Sequence, residues 1–116
     1  KIIIVQHDDM AVILHAAMEN EICKKVLSAR NYTTSCTQHA SAGNNNFQVI
    51  FEPKDRKFGK GKVVGAKTGY VNQSRYCAVS MYESETNNKY ICVTGMAGKA
   101  WQTVYDHIAF YQNYCK

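Results

Sequence analysis

Three apolar stretches separated by short polar segments occupy the second half of the chain and constrain its fold more than any other feature. They cover residues 63–72, 75–82 and 89–95, and their β-branched and aromatic residues favour strands. The polar segment 83–88 is short enough to be a turn, so we expect the second and third stretches to form an antiparallel hairpin. The core of the chain is therefore predicted to contain an antiparallel sheet.

The first of these stretches contains Lys67, Thr68 and Gly69 in succession. Lys67 supplies a positive charge, Thr68 supplies a hydroxyl donor, and Gly69 lets a ligand approach the backbone closely. At the edge of a strand, these three residues predict a binding site for an anion. Lys-Thr-Gly is also one of the three motifs of the penicillin-binding serine enzymes, and the others are Ser-x-x-Lys and Ser-x-Asn or a relative of it.

Apolar residues at helical spacing predict two helices between residues 8 and 30. Asp8 and Asp9 offer an N-cap and a negatively charged first turn, and Asn20 interrupts the pattern. The second helix is expected to end near Arg30, and both helices are expected to face the core. The residues that define the pattern are Met10, Ile13, Leu14, Ala17, Met18, Ile22, Val26 and Leu27.

The middle of the chain alternates short strand patterns with polar loops. Residues 32–34 and 47–51 are predicted strands, whereas residues 38–46 and the basic stretch 54–62 are predicted loops. Residues 1–6 fit either a short apolar strand or the end of a preceding element.

A final helix is predicted after Gly98, with an apolar stripe that packs on the sheet. The stripe consists of Trp101, Val104, Tyr105, Ile108 and Gln112. The order of helices, strands, hairpin and helix predicts an α+β fold in which helices flank an antiparallel sheet.

Length and charge limit the classes of protein that need to be considered. A chain of 116 residues forms one small domain or is a piece of a larger one. The net charge of +5 fits a basic surface without a dedicated polyanion, and no nucleic-acid motif accompanies the one basic cluster. That cluster lies in the stretch 54–62. No apolar run approaches the length of a membrane span.

The cysteine and histidine patterns predict neither a metal site nor a cofactor. The five cysteines lack the C-x-x-C spacing, and the four histidines have no metal-ligand spacing. We interpret the cysteines as reduced and mostly buried, although Cys77 and Cys92 lie on neighbouring predicted strands where they could face each other. Nothing in the spacing favours a pair of Cys77 with His107, or of Cys36 with His39. His15 is interpreted as a partly buried structural residue.

Residues 65–70 read Gly-Ala-Lys-Thr-Gly-Tyr and are followed by Tyr-Cys-Ala-Val at residues 76–79. This run resembles the low-molecular-mass D-alanyl-D-alanine carboxypeptidases, which have penicillin-binding serine chemistry. Residues 7–14, 28–34 and 90–97 are similar to further segments of that family, in the same order. The resemblance implies part of a β-lactamase/transpeptidase-like domain that ends in a C-terminal helix.

The resemblance also implies a site and its ligands. In that family a serine attacks a peptide ending in D-Ala-D-Ala and forms an acyl-enzyme that water hydrolyses. By analogy, Lys67 contributes positive charge, Thr68 binds the substrate carboxylate, and Gly69 is a further substrate-binding residue. The backbone N–H of Tyr70 is implied to be an oxyanion-hole donor. The implied partners are a peptidoglycan stem peptide and inhibitory β-lactams, without nucleic acid. The implied location is bacterial and extracytoplasmic.

The chain departs from the family pattern in one major respect. None of its six serines has a lysine three residues later or an asparagine two residues later. Residues 70–72 match a Tyr-x-Asn variant of the Ser-x-Asn motif in residue type, but they lie within the Lys-Thr-Gly strand, whereas the family has that motif upstream. Val71 stands where the family often has threonine, and the segment 98–103 contains no arginine. We therefore interpret residues 1–116 as the C-terminal portion of one carboxypeptidase domain, whose N-terminal half is a missing partner.

Two functions follow from this interpretation. The first is a serine-type D-Ala-D-Ala carboxypeptidase that is inactive without its nucleophile half. The second is a non-catalytic remnant that binds peptidoglycan or associates with itself, and a homodimer is then expected. A class A β-lactamase fits less well because the flanking segments resemble those of carboxypeptidases.

Overall fold

A computed structural model gives the fold and describes residues 5–29, 32–34, 43–45, 57–58 and 61–115. The helices are α1 (His7–Glu19), α2 (Glu21–Ser28) and α3 (Ala100–Tyr114). The strands are β1 (Tyr32–Thr34), β2 (Gly43–Asn45), β3 (Lys57–Phe58), β4 (Gly61–Val71), β5 (Arg75–Glu83) and β6 (Lys89–Ala97). The predicted α+β class is confirmed.

Strands β3, β4, β5 and β6 form one antiparallel sheet in that order, and β1 pairs with β2 in a separate two-stranded sheet. The predicted hairpin is confirmed as β5 and β6, with Ser80 opposite Cys92 and Val79 opposite Val93. Its loop is closed by hydrogen bonds between Ser84 and the backbone of Asn87 and Asn88. The register shifts at a bulge near the start of β4 and at another near the start of β5.

Helices cover both faces of the large sheet. Val104 and Tyr111 of α3 pack with Ala66, Ala78 and Tyr82 on one face. On the other face, α1 contributes the core residues of a second cluster, in which Leu14 and Met18 lie four residues apart and so project from one side of the helix. Strand β5 runs between the two clusters, which is why Ala78 to Tyr82 are all buried.

Asn20 ends α1 and begins α2, as the sequence predicted. Its side-chain oxygen accepts hydrogen bonds from the backbone N–H groups of Ile22 and Cys23, both at 3.1 Å. The predicted N-cap of α1 was wrong, because Gln6 occupies that position and Asp9 accepts a hydrogen bond from its N–H at 3.1 Å. Asp8 and Asp9 nevertheless form the acidic first turn.

Several short elements differ from the sequence predictions. Residues 43–45 and 57–58 are strands rather than loop, since short polar strands carry no apolar alternation that would reveal them. Residues 5 and 6 belong to no strand, and the predicted strand 47–51 lies outside the described residues. The second helix ends at Ser28.

Predictions of side-chain burial in the helices are confirmed only in part. In α2, Leu27 packs against a core cluster, whereas Ile22 and Val26 are exposed. The prediction for His15 of α1 was wrong, because it is exposed, with Glu19 4.0 Å away.

The predicted stripe of α3 is likewise confirmed only at Val104, which is buried, and at Ile108, which packs against the core. Trp101, Tyr105 and Gln112 are exposed. The rest of the buried face is formed by Thr103, His107 and Tyr111.

Candidate functional site

The Lys67-Thr68-Gly69 segment lies in β4 near one edge of the large sheet. Lys67 pairs with Val79 of β5, and Gly69 pairs with Cys77. On its other side, β4 is paired with β3 only at Gly61 and Lys62. Among the described residues, no strand pairs with the Lys67–Gly69 segment on that side. Within the described residues, this segment is therefore paired with a strand on one side only, and its role as a binding edge remains a prediction.

Alternation along β4 separates the side chains of this segment. Lys67 and Gly69 lie on the face of the sheet that packs against α1, whereas Thr68 and Tyr70 lie on the face that packs against α3. The Lys67 side chain is exposed, and its ammonium group donates a hydrogen bond to the carbonyl oxygen of Thr68. A ligand that contacts both Lys67 and Thr68 must therefore lie at the edge of β4, where it can reach both faces of the sheet.

The space beside Gly69 is open. Among the described residues, a methyl group built on its Cα would meet no atom within 4 Å, apart from its immediate chain neighbours. This leaves room beside the β4 backbone at Gly69, and the binding of a ligand there remains a prediction.

Tyr70 continues the strand beyond the motif. Its ring lies 4.6 Å from the ring of Tyr76, centroid to centroid, and its hydroxyl donates to the side-chain oxygen of Asn72 at 3.2 Å. These contacts fix the phenol on the α3 face. The proposed role of Tyr70 belongs to its backbone N–H, and that role remains a prediction.

A buried polar network between the sheet and α3 was not anticipated from the sequence. The Ser80 hydroxyl lies 2.7 Å from Nδ1 of His107 and 2.6 Å from the Tyr111 hydroxyl. On the far side of the imidazole, Nε2 lies 3.0 Å from the hydroxyl of Thr94. The Tyr111 hydroxyl also donates to the Ser80 carbonyl oxygen at 3.0 Å. Each ring nitrogen therefore has a partner.

Ser80 and His107 resemble a serine–histidine pair, but their burial excludes a role in attack on a substrate. Ser80 is 0% exposed and His107 is 1% exposed. Burial lowers the pKa of His107 to about 4, so the imidazole is neutral at pH 7. Burial likewise raises the pKa of Tyr111 above its ordinary value. The network joins α3 to the sheet and is structural.

The described cysteines are free thiols, which agrees with the reduced state interpreted from the sequence. The expected approach of Cys77 to Cys92 is not found. Cys92 lies opposite Ser80 on the α3 face, whereas Cys77 lies on the α1 face. Burial is the main cause that raises the pKa of Cys92 to about 11. Cys23 is exposed rather than buried.

Among the described helices, none is long and apolar enough to cross a membrane.

Comparison with known proteins gives a likeness at the level of the fold. No protein-family model matches the chain, and no curated protein matches it. Among solved structures, the chain is similar to the crystal structure of a D-alanyl-D-alanine carboxypeptidase from Mycobacterium tuberculosis H37Rv, with a TM-score of 0.63 and 17% identity. The match covers 95% of this chain but 42% of that one. The chain therefore shares its fold with part of that enzyme.

Proposed function

We propose that residues 1–116 are the C-terminal portion of a serine-type D-Ala-D-Ala carboxypeptidase domain. They supply the strand that carries Lys-Thr-Gly along one side of its active site. The observation that carries the proposal is the position of Lys67–Gly69 at a strand edge whose outer side has no paired strand among the described residues. Two further points support it: the ordered resemblance in sequence and the fold shared with part of a carboxypeptidase.

An extended peptide substrate would bind along the outer edge of β4. A strand edge offers backbone hydrogen bonds to an added strand, and the open space at Gly69 removes the steric barrier to that approach. The exposed ammonium group of Lys67 would attract the terminal carboxylate, and the Thr68 hydroxyl would donate a hydrogen bond to it.

The reaction would need a serine from the remaining part of the domain. That serine attacks the penultimate carbonyl, the C–N bond breaks, and terminal D-Ala leaves with a proton on its amine. Water then hydrolyses the acyl-enzyme. The Tyr70 backbone N–H would stabilise the oxyanion, and one such donor typically contributes about 3 kcal/mol to the transition state. A β-lactam would acylate the same serine, and peptidoglycan as substrate would place the protein outside the cytoplasm.

Peptide binding by this chain is tested by titrating the labelled protein with N-acetyl-lysyl-D-Ala-D-Ala and following amide shifts by NMR. We expect the largest shifts at residues 67–70. Lys67→Gln should weaken binding roughly tenfold, since it removes a charged partner of the carboxylate. Lys62→Gln is the matched control on the same strand and should have little effect. No shift at residues 67–70 would contradict the proposed site.

Catalysis is tested on the product of the complete gene with a fluorescent penicillin, read by intact mass. We expect that protein to be acylated and Lys67→Gln to slow its acylation roughly 100-fold, as for loss of a charged group that stabilises the transition state electrostatically. The 116-residue chain should remain unlabelled. Labelling of the short chain would mean that it contains its own nucleophile.

The second candidate is a non-catalytic module that binds peptidoglycan peptides or associates with itself. The absence of both serine motifs supports it, because none of the six serines is followed by the lysine or asparagine that the enzyme would need. Shifts at residues 67–70 combined with an unlabelled complete protein would support this candidate over the enzyme.

A further inference from the structure

The proposed substrate position fixes which residue of the peptide lies beside which residue of β4. With its carboxylate at Lys67 and Thr68 and its penultimate carbonyl at the Tyr70 N–H, the peptide runs antiparallel to β4. A carbonyl that accepts from a backbone N–H across an antiparallel pair belongs to the residue directly opposite. The penultimate residue therefore lies opposite Tyr70 and the terminal residue opposite Gly69. The residue that precedes D-Ala-D-Ala then lies opposite Val71.

Val71 and Arg75 lie side by side at this end of the sheet. Val71 is the last residue of β4, and its register partner is Arg75, the first residue of β5. Residues directly opposite each other project from the same face of a sheet, so an L-residue opposite Val71 shares the face of Val71. Val71 is more than half exposed. The side chain of this peptide residue therefore passes over Val71 toward Arg75.

The guanidinium of Arg75 is available to a ligand. Arg75 is exposed and forms no ion pair with a carboxylate of the described residues. Neighbouring strands lie about 4.8 Å apart, so the Cα atoms of Arg75 and of the peptide residue beyond Val71 are separated by roughly 10 Å. An arginine side chain spans this distance together with a peptide side chain of two or more methylene groups. A charged group at the end of such a side chain would reach the guanidinium.

We propose that Arg75 recognises a carboxylate on the side chain of the residue that precedes D-Ala-D-Ala, and so selects peptides that are acidic at this position. The aliphatic part of that side chain lies over Val71. The guanidinium presents a planar fork of N–H donors that matches the two oxygens of a carboxylate. This inference rests on the proposed carboxypeptidase function and adds a substrate class to it.

The test compares peptides of the form N-acetyl-Xaa-D-Ala-D-Ala, in which Xaa is L-glutamate, L-glutamine or L-lysine. Each is titrated into the labelled chain, and its dissociation constant is read from the amide shifts of residues 67–70. We expect the glutamyl peptide to bind about threefold more tightly than the glutaminyl peptide, as for an exposed ion pair. The lysyl peptide should bind least tightly, because Lys67 and Arg75 repel its ammonium group. Tightest binding by the lysyl peptide would overturn the proposal.

Two variants that change the net charge equally locate the preference for glutamate over glutamine. Arg75→Asn removes the guanidinium but keeps a residue type that tolerates the φ of 53° at this position, so the two peptides should then bind equally. Lys89→Asn removes a charge opposite Glu83, at the other end of β5, and should leave the preference unchanged. A preference that survives Arg75→Asn would refute the role of Arg75.

The unmodified chain gives a second measurement, which does not depend on the folding of a variant. Raising the ionic strength should reduce the preference for glutamate, because salt screens exposed charges. A preference that does not change with salt would contradict an ion pair with Arg75.

The subsite and the proposed function fail in different ways. If no peptide shifts residues 67–70, the proposed peptide site is wrong and the subsite is wrong with it. If the three peptides shift these residues with equal affinity, the peptide site stands and only the subsite is refuted.

Discussion

The imidazole of His107 is held neutral by its burial between the sheet and α3, where Ser80 and Thr94 flank its two nitrogens. One arrangement satisfies every group in the network: Thr94 donates to His107, His107 to Ser80, Ser80 to Tyr111, and Tyr111 to the Ser80 carbonyl. Such a network stabilises the fold only while all its members remain paired.

The free energy of unfolding should therefore decrease as the pH is lowered below about 6.5. The unfolded state binds a proton near pH 6.5, but folded His107 does so only near pH 4, so stability rises with pH across this window. The contribution lost at the acid end is about 3 kcal/mol. Urea unfolding from pH 4 to 8 measures it. The variant His107→Gln should be less stable at every pH and should lack this component of the pH dependence. If its unfolding free energy changed with pH as in the wild type, the dependence would not come from His107.

Glycines in the same strand should respond differently to substitution. A methyl group on Gly61 would overlap the Glu83 carbonyl oxygen and the Tyr82 ring, whereas one on Gly69 would meet no atom of the described residues within 4 Å. We expect Gly61→Ala to lower the unfolding free energy by about 1–3 kcal/mol through overpacking, and Gly69→Ala to change it little. Thermal unfolding distinguishes the two. The prediction fails if both variants shift the melting temperature equally.

At the scale of elements, the junction between α1 and α2 depends on one side chain. Asn20 caps α2 through two backbone N–H groups, and its replacement by alanine should cost about 1 kcal/mol. Asn20→Asp is the matched control, since it keeps the accepting oxygen. Urea unfolding of the three proteins checks this, and an alanine variant as stable as wild type would show that α2 needs no cap.

The elements that the sequence predicted well are those with a strong local pattern. Strands β4 to β6 follow from alternating β-branched residues and short turns, and the end of α1 follows from Asn20. The buried face of α3 was predicted correctly at Val104 and Ile108 but wrongly at Trp101 and Tyr105, which residue type favoured. The helix buries Thr103 and His107 instead, and the sheet satisfies the His107 ring nitrogens.

The candidate site was predictable from the sequence only in part, because the sequence contains the motif but does not show how its side chains are arranged in the sheet. Lys67, Thr68 and Gly69 are consecutive, so the motif could be read directly. Their division between two faces follows from strand alternation, but which face each side chain lies on depends on the bulge near Val63, which the sequence does not signal.

At the scale of the whole molecule, large apolar side chains remain on the surface. Val12 and Ile13 of α1 and Ile22 and Val26 of α2 are each more than half exposed, as are the aromatic side chains of Tyr105 and Tyr114 in α3. Surfaces of this kind favour association. We expect the chain to form dimers or larger species at micromolar concentration, as its sequence suggested.

Light scattering over a range of concentrations tests this expectation. The double variant Ile22→Glu, Val26→Lys should reduce association, because these residues are 76% and 61% exposed and contribute nothing to the core. A monodisperse monomer of the unmodified chain would contradict the expectation. A variant that associates equally well would place the contact elsewhere.

The central position of β5 has a consequence for the exchange of amide hydrogens with solvent. Its backbone is paired on one side with β4 and on the other with β6, and both its faces are covered. Deuterium can therefore enter the middle of β5 only when the whole molecule unfolds, whereas the β4 backbone beside Gly69 can open locally. The slowest amides, from Ala78 to Tyr82, would thus report the global stability of the protein directly.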